Sequence, residues 1–158
     1  MRIKALAESL IERCGGSNDP FAIADMLGIH IAFEKLGKKD AFFTNMCNVP
    51  IIHINEEIAP EIRDFACAHE LGHALLHRDT NASWLAFHTY SNDCRLEREA
   101  NQFAVELLMP DELAREFDGF TIYDVGTMVG IPRQLCELKN TLALSQKLSQ
   151  NKEKQNED

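Results

Sequence analysis

Long hydrophobic runs are missing from this 158-residue sequence. No stretch approaches the ~18 consecutive apolar residues that a membrane-spanning helix needs, so no membrane association is expected. The first eleven residues carry Arg2, Lys4 and Glu8 inside a helix-like pattern and lack the apolar segment of a secretory signal peptide. Cysteine is sparse: Cys14, Cys47, Cys67, Cys94 and Cys136 are odd in number and never spaced as CxxC. That argues against a disulfide framework and a cysteine-based zinc site, and fits reduced thiols in a cytoplasm. Internal repeats are absent, and so are basic clusters. The net charge is -9, from 16 basic and 25 acidic residues. The whole excess lies between His53 and Asp118, with 5 basic against 14 acidic residues, while the other 92 residues hold 11 of each. A chain built to grip nucleic acid shows a basic face, so direct nucleic-acid binding is not expected. A metal site, by contrast, tolerates surplus carboxylates because a cation offsets them.

What is present describes an ordinary globular chain. Apolar residues make up 45% and charged residues 26%, at a length suited to one compact domain. Arg2 to Arg13 carries an apolar stripe at 3, 6, 7, 10 and 11, which predicts a helix closed by Gly15-Gly16. Asp19-Pro20 reads as a cap followed by proline in the first turn, opening a short helix that Gly28 stops. Ile29–Phe33, Ala41–Met46 and Pro50–Ile54 read as strands, the last two joined by a turn at Asn48 to Pro50. Long helices are predicted from Pro60 to about His77 and from Arg95 to Leu108, and a shorter one from Asp111 to Phe117. Asn81–Tyr90 reads as an extended segment, and Thr121–Leu144 as helix, Gly130-Ile131-Pro132 turn, helix. The fold class is therefore α+β: a mostly helical domain over 1–118 with a small, mainly antiparallel sheet beside the first long helix. A helical, helix-turn-helix-like extension over 119–144 and a disordered tail over 145–158 complete it.

The chemistry concentrates in His69-Glu70-Leu71-Gly72-His73, an HExxH sequence inside a predicted helix. Residues four apart lie on one helix face ~6 Å apart along the axis, so both imidazoles reach one ion at about 2 Å each. Glu70 is placed to take a proton from the attacking water and return it to the leaving amine. His77 continues the face at i+8, but eight helical residues span ~12 Å, too far for a shared ion. It is expected at the helix end or as a hydrogen bonder in the cleft wall, and it joins His88 and Tyr90 as a candidate oxyanion or substrate contact. The third ligand is sought on the second long helix. There Arg95, Glu99, Gln102 and Glu106 form a polar, solvent-facing row, and Leu96, Ala100, Phe103 and Leu107 form the core stripe. Glu97 lies on an edge with Ala100, Asn101 and Ala104, where small residues allow close approach. Glu97 is thus the candidate ligand and Asn101, one turn on, the group orienting a ligating histidine. Two histidines, one glutamate and an open position make a thermolysin-like catalytic zinc site, one Zn2+ per chain, suited to peptide hydrolysis.

Four segments carry a family resemblance: Pro20–Leu27, Pro50–Asn55, Ala68–His77 and the ExEANxFAxELLMP stretch from Glu97 to Pro110. Together they resemble the ImmA/IrrE-type metallo-endopeptidases, over about residues 1 to 118 and in the same order. The resemblance implies zinc on His69, His73 and Glu97 with Glu70 as base. It also implies a protein substrate, a helix-turn-helix repressor whose cleavage releases transcription. Two other readings compete. One is DNA binding by 121–144, whose second helix offers only Arg133 and Lys139 with Glu137 between them. The other is a non-proteolytic regulator with a structural or sensing zinc. An extended Asn81–Tyr90 could add a substrate strand, with Trp84 and Phe87 lining a pocket. His30 and His53 fall in strands and are read as structural.

Overall fold

A computed structural model describes residues 3–77, 95–117 and 119–139. The Asn81–Tyr90 segment, with Trp84, Phe87, His88 and Tyr90, lies outside the described residues, as does everything beyond 139.

Helix α1 (Ile3–Arg13) buries Ala7 and Leu10, with Ile3, Leu6 and Ile11 packed beside them, the stripe that the sequence predicts. Helix α2 (Pro20–Met26) starts where the Asp19 carboxylate accepts the Phe21 N–H at 2.9 Å, and proline in the first turn gives up no hydrogen bond. Strands β1 (His30–Glu34), β2 (Ala41–Met46) and β3 (Val49–Asn55) form one sheet in the order β1-β3-β2. The β2–β3 ladder is antiparallel and the β1–β3 ladder parallel, so the small sheet is mixed. The hairpin turn sits earlier than the sequence suggests. Met46 pairs with Val49, leaving Cys47 and Asn48 as a two-residue loop at φ 53° and 62°. Two successive positive φ values match the twist of the flanking strands, a geometry that asparagine tolerates far better than cysteine does.

Helix α3 (Pro60–Leu76) packs against β2, β3 and α2 on the one hand and against α4 (Arg95–Leu108) on the other. Helix α4 also rests on α1, so the two long helices run through the middle of the domain. Phe103, Ala104, Val105 and Leu107 of α4 are fully buried with Cys67, Ala68 and Leu71 of α3 and Ile52 and Ile54 of β3. Each large apolar side chain removed from water in this way contributes about 1.5–3 kcal/mol, which fixes α4 against α3 and with it everything the two helices carry. Asn55 closes the sheet side: its amide donates to the carbonyls of Gly37 and Lys39 at 3.1 and 3.0 Å, pinning the β1–β2 loop.

After α5 (Asp111–Glu116), α6 (Ile122–Met128) begins at a capping box formed by Thr121 and Asp124. The second element of the expected helix-turn-helix is a six-residue 3-10 helix, Arg133–Leu138, and not an α-helix. Proline at 132 fixes the entry, and the Arg133 guanidinium lies 4.5 Å over the Tyr123 ring, facing this subdomain and not a phosphate. Val125, Ile131 and Cys136 join the same core as the long helices. The polar row of α4 also needs correction. Glu106 is 2% exposed, covered by the 3-10 segment, with its carboxylate 2.7 Å from the Lys139 ammonium. A polar residue at helical spacing marks a polar face only until another element with a matching charge packs on it. Among the described residues no helix is long and apolar enough to cross a membrane.

Candidate metal centre

The i, i+4 spacing on α3 brings His69 and His73 side by side, with Nε2 to Nε2 at 3.1 Å. From α4, one turn in, Glu97 places Oε2 at 3.3 Å from His69 Nε2 and Oε1 at 3.2 Å from His73 Nε2. Helix packing supplies this convergence: Ala100 and Gly72 face each other, so a glutamate side chain spans the gap. Glu97 stays half-exposed while His73 is buried.

Protonation logic shows what the triangle is for. The Nδ1 of His69 lies 2.9 Å from the Asn101 carbonyl oxygen, an acceptor, so in the neutral ring the proton sits on Nδ1 and Nε2 is a bare lone pair. His73 Nδ1 is likewise engaged, with His77 Nδ1 at 3.1 Å. With both rings protonated on Nδ1, two Nε2 lone pairs and the Glu97 carboxylate converge, a donor set suited to a cation. The two Nε2 atoms lie 3.1 Å apart and each meets a different oxygen of Glu97, at 3.3 and 3.2 Å, separations of the size found between atoms that share a tetrahedral ion at about 2.0 Å. Among the described residues these three form a group of side chains that could hold a metal ion. Asn101, one turn beyond Glu97, holds His69 as its spacing predicts.

Burial and the contacts among these groups set their charge. Burial alone would raise the Glu97 carboxyl, yet its contacts with His69 and His73 hold it far below the usual carboxylate range. Burial opposes protonation of His69, but Glu97, Glu70 and the Asn101 oxygen raise its pKa above the ordinary value. Glu70, 6% exposed, is pushed up by burial, against the pull of His69, His73 and the Phe43 backbone N–H. It lines a cleft of about 270 Å³ with His69 and Asn101; Ala41, Ile62, Phe65 and Ala66 form apolar walls, and Lys38, Lys39 and Asp40 stand at its side.

His77 does not face that cleft. Its side chain is 2% exposed, Nδ1 meets His73 and Nε2 meets Glu99 Oε2 at 3.2 Å. The expectation of an oxyanion or substrate contact there is corrected: both ring nitrogens are engaged behind the metal-facing histidine, and burial lowers the imidazole's pKa. Its backbone ends α3, as expected, with its N–H on the His73 carbonyl. Glu99, read from the sequence as solvent-facing, is partly covered and holds His77 and Arg95, contacts that sequence reasoning missed. His53 is structural, held by Glu34 at 2.8 Å and Thr44 at 3.0 Å. The candidates His88 and Tyr90 lie outside the described residues.

The sequence comparisons agree with this geometry. Residues 24–138 match the IrrE N-terminal-like domain, a peptidase family. The chain is 33% identical over 150 residues to an uncharacterized immunity region protein 2 of Bacillus phage phi105, covering 87% of this chain and 89% of that one. It is 28% identical over 143 residues to metallopeptidase ImmA of Bacillus subtilis, covering 87% and 83%. It is 31% identical over 119 residues to the radiation response metalloprotease IrrE of Deinococcus radiodurans, covering 73% of this chain but 35% of that longer protein.

Proposed function

On the premise that this chain belongs to the ImmA/IrrE family of metallopeptidases, we propose that it is an endopeptidase working with a single zinc ion held by His69, His73 and Glu97, with Glu70 as the catalytic base. The observation that carries this reading is the convergence of two imidazole nitrogens 3.1 Å apart with the Glu97 carboxylate, whose oxygens lie 3.2 and 3.3 Å from them. When bound, zinc supplies Lewis-acid polarisation of the scissile carbonyl and makes water acidic enough to give up a proton near neutral pH.

The remaining work falls to the chain's own residues. Glu70 sits one residue from His69 at the cleft wall, and burial raises its affinity for a proton. It takes that proton from the attacking water and delivers it to the leaving amine. The Phe43 N–H bonded to Glu70 keeps the carboxylate aimed. Asn101 holds the His69 ring in one tautomer. A peptide segment enters the cleft against Ile62, Phe65 and Ala66, whose apolar surface excludes water from its far side. Strand β2, at the sheet edge beside Glu70, offers backbone groups for an extended substrate.

The proposed substrate is a helix-turn-helix repressor, and the proposed setting is the cytoplasm. The first rests on the family resemblance and on the phage relative named for an immunity region. The second is supported by the free thiols of Cys14, Cys47, Cys67 and Cys136. The test is Glu70→Gln. Wild-type protein should carry about one zinc per chain and remove a co-expressed repressor encoded beside it. The variant should keep its zinc and lose cleavage by on the order of 10²–10⁴. Unchanged repressor loss with Glu70→Gln sinks the assignment.

A further inference from the structure

The two metal-facing histidines are supported unequally. Behind His69 the Nδ1 ends on the neutral amide of Asn101. Behind His73 the contacts run on: His73 Nδ1 to His77 Nδ1 at 3.1 Å, His77 Nε2 to Glu99 Oε2 at 3.2 Å, and Glu99 Oε1 to Arg95 Nε at 2.6 Å. His73 and His77 are buried, Glu99 is partly covered, and Arg95 is at the surface. The row thus leads from the metal-facing nitrogen out of the interior and ends on a fixed charge.

One proton pattern satisfies each of these contacts. With Nε2 of His73 turned to a cation, its Nδ1 carries the proton and donates to His77 Nδ1. His77 then carries its own proton on Nε2 and donates it to the Glu99 carboxylate. Reversing either ring leaves two donors or two acceptors face to face in a buried place. Glu99 therefore sets the tautomer of His77, and His77 sets that of His73.

We propose that His77 and Glu99 are positioning residues that hold His73 in its metal-binding tautomer and orientation, passing a carboxylate's influence to the ion through an intervening imidazole. A carboxylate hydrogen-bonded to a ligating histidine makes that ligand more basic and orients its ring. Here a second histidine carries the same influence one helical turn further. The inference rests on the ligand assignment proposed above.

The experiment measures zinc affinity of the full chain by competition with a chromophoric chelator, with circular dichroism of each metal-free variant to confirm folding. His77→Leu keeps the volume and removes both hydrogen bonds; His77→Gln keeps an acceptor for His73 and a donor for Glu99. His77→Leu should weaken zinc about 10- to 100-fold, His77→Gln should restore affinity to within roughly threefold of wild type, and Glu99→Gln should fall between them. A folded His77→Leu that binds zinc as wild type does overturns the relay, as does a His77→Gln no better than leucine. If His77→Leu does not fold, Glu99→Leu decides: weakened zinc upholds the relay and unchanged zinc overturns it. Failure of wild type to bind zinc overturns the ligand assignment itself, and the relay with it.

Discussion

A Cβ placed on Gly72 would lie 3.0 Å from the Cα of Ala100 and 3.2 Å from its carbonyl oxygen, so α3 and α4 touch backbone to backbone at that point. Gly72 stands between Glu70 and His73, and Ala100 between Glu97 and Asn101. The contact therefore sits at the centre of the candidate metal site. Helix separation depends on the side chains at the crossing, and two of the smallest residues set it here. Glu97 reaches both imidazoles because nothing larger than a hydrogen stands at position 72.

Gly72→Ala should therefore damage the metal site although alanine is the better helix former. The propensity gain is about 1 kcal/mol, while overpacking against atoms that cannot rotate aside costs about 1–3 kcal/mol. The expected outcome is a lower melting temperature together with weaker zinc binding, read by calorimetry and chelator competition. A raised melting temperature with wild-type zinc affinity would show that the helices separate freely and that their close contact is incidental.

Glu97→Ala removes a corner of the triangle and should cost more than about 100-fold in zinc affinity, beyond the range of outer supporting groups. Arg98→Ala, next along the same helix but exposed, is the control and should bind zinc normally. Equal effects from the two would mean that the loss comes from α4 fraying and not from a missing ligand.

Chelation is a third test. An ion bound at 100 times its Kd stabilises the fold by about 2.7 kcal/mol. For a chain of this size that corresponds to a melting temperature lower by roughly 5–10 °C with excess chelator. An unchanged melting temperature speaks against a tightly held ion.

Much of this was legible in the sequence because it depends on local rules. The caps at Asp19-Pro20, the bounds of both long helices and the HExxH face follow from spacing and from residues that start or stop helices. Glu97 could be picked out because alanines flank it on the side that must approach α3. Glu99 and Glu106 escaped because helical periodicity records which residues are polar, not what later packs upon them. A histidine from the end of α3 covers one and a lysine from position 139 the other. The hairpin loop was misplaced for a related reason: Pro50 suggested a turn, but pairing of Met46 with Val49 puts the proline inside β3 and the loop at Cys47-Asn48. The 3-10 form of 133–138 follows no residue pattern that separates it from an α-helix.

The buried Lys139 ties this last segment down. Its ammonium lies 2.7 Å from Glu106 Oε2 and 2.9 Å from Asp111 Oδ1, and the other Asp111 oxygen receives Lys4 at 2.6 Å. Lys139→Met leaves the Glu106 carboxylate buried without this cation and should destabilise the chain by about 3 kcal/mol or more, whereas the double variant with Glu106→Leu should recover most of the loss. Chemical denaturation of the three proteins checks this. No recovery in the double variant would show that Lys139 acts through its packing and not its charge.

The same cluster predicts a specific acid sensitivity. Burial would raise the Asp111 carboxyl, but Lys4 and Lys139 hold it below its ordinary value. A folded-state pKa below the unfolded one means that the carboxylate's contribution is complete above about pH 4 and is lost as pH falls below that. Zinc release and the depressed Glu97 also act in acid, and Lys139 faces Glu106 as well, so the comparison is made on chelated protein between Glu106→Leu and Glu106→Leu/Lys139→Met. Glu97 contributes to both curves and cancels, leaving the part that depends on Lys139 and Asp111. The single variant should lose stability more steeply than the double variant below pH 4, because the double variant has already lost part of what holds the Asp111 pKa down. Parallel curves would show that Lys4 alone sets the Asp111 pKa and that Lys139 is tied to Glu106 only.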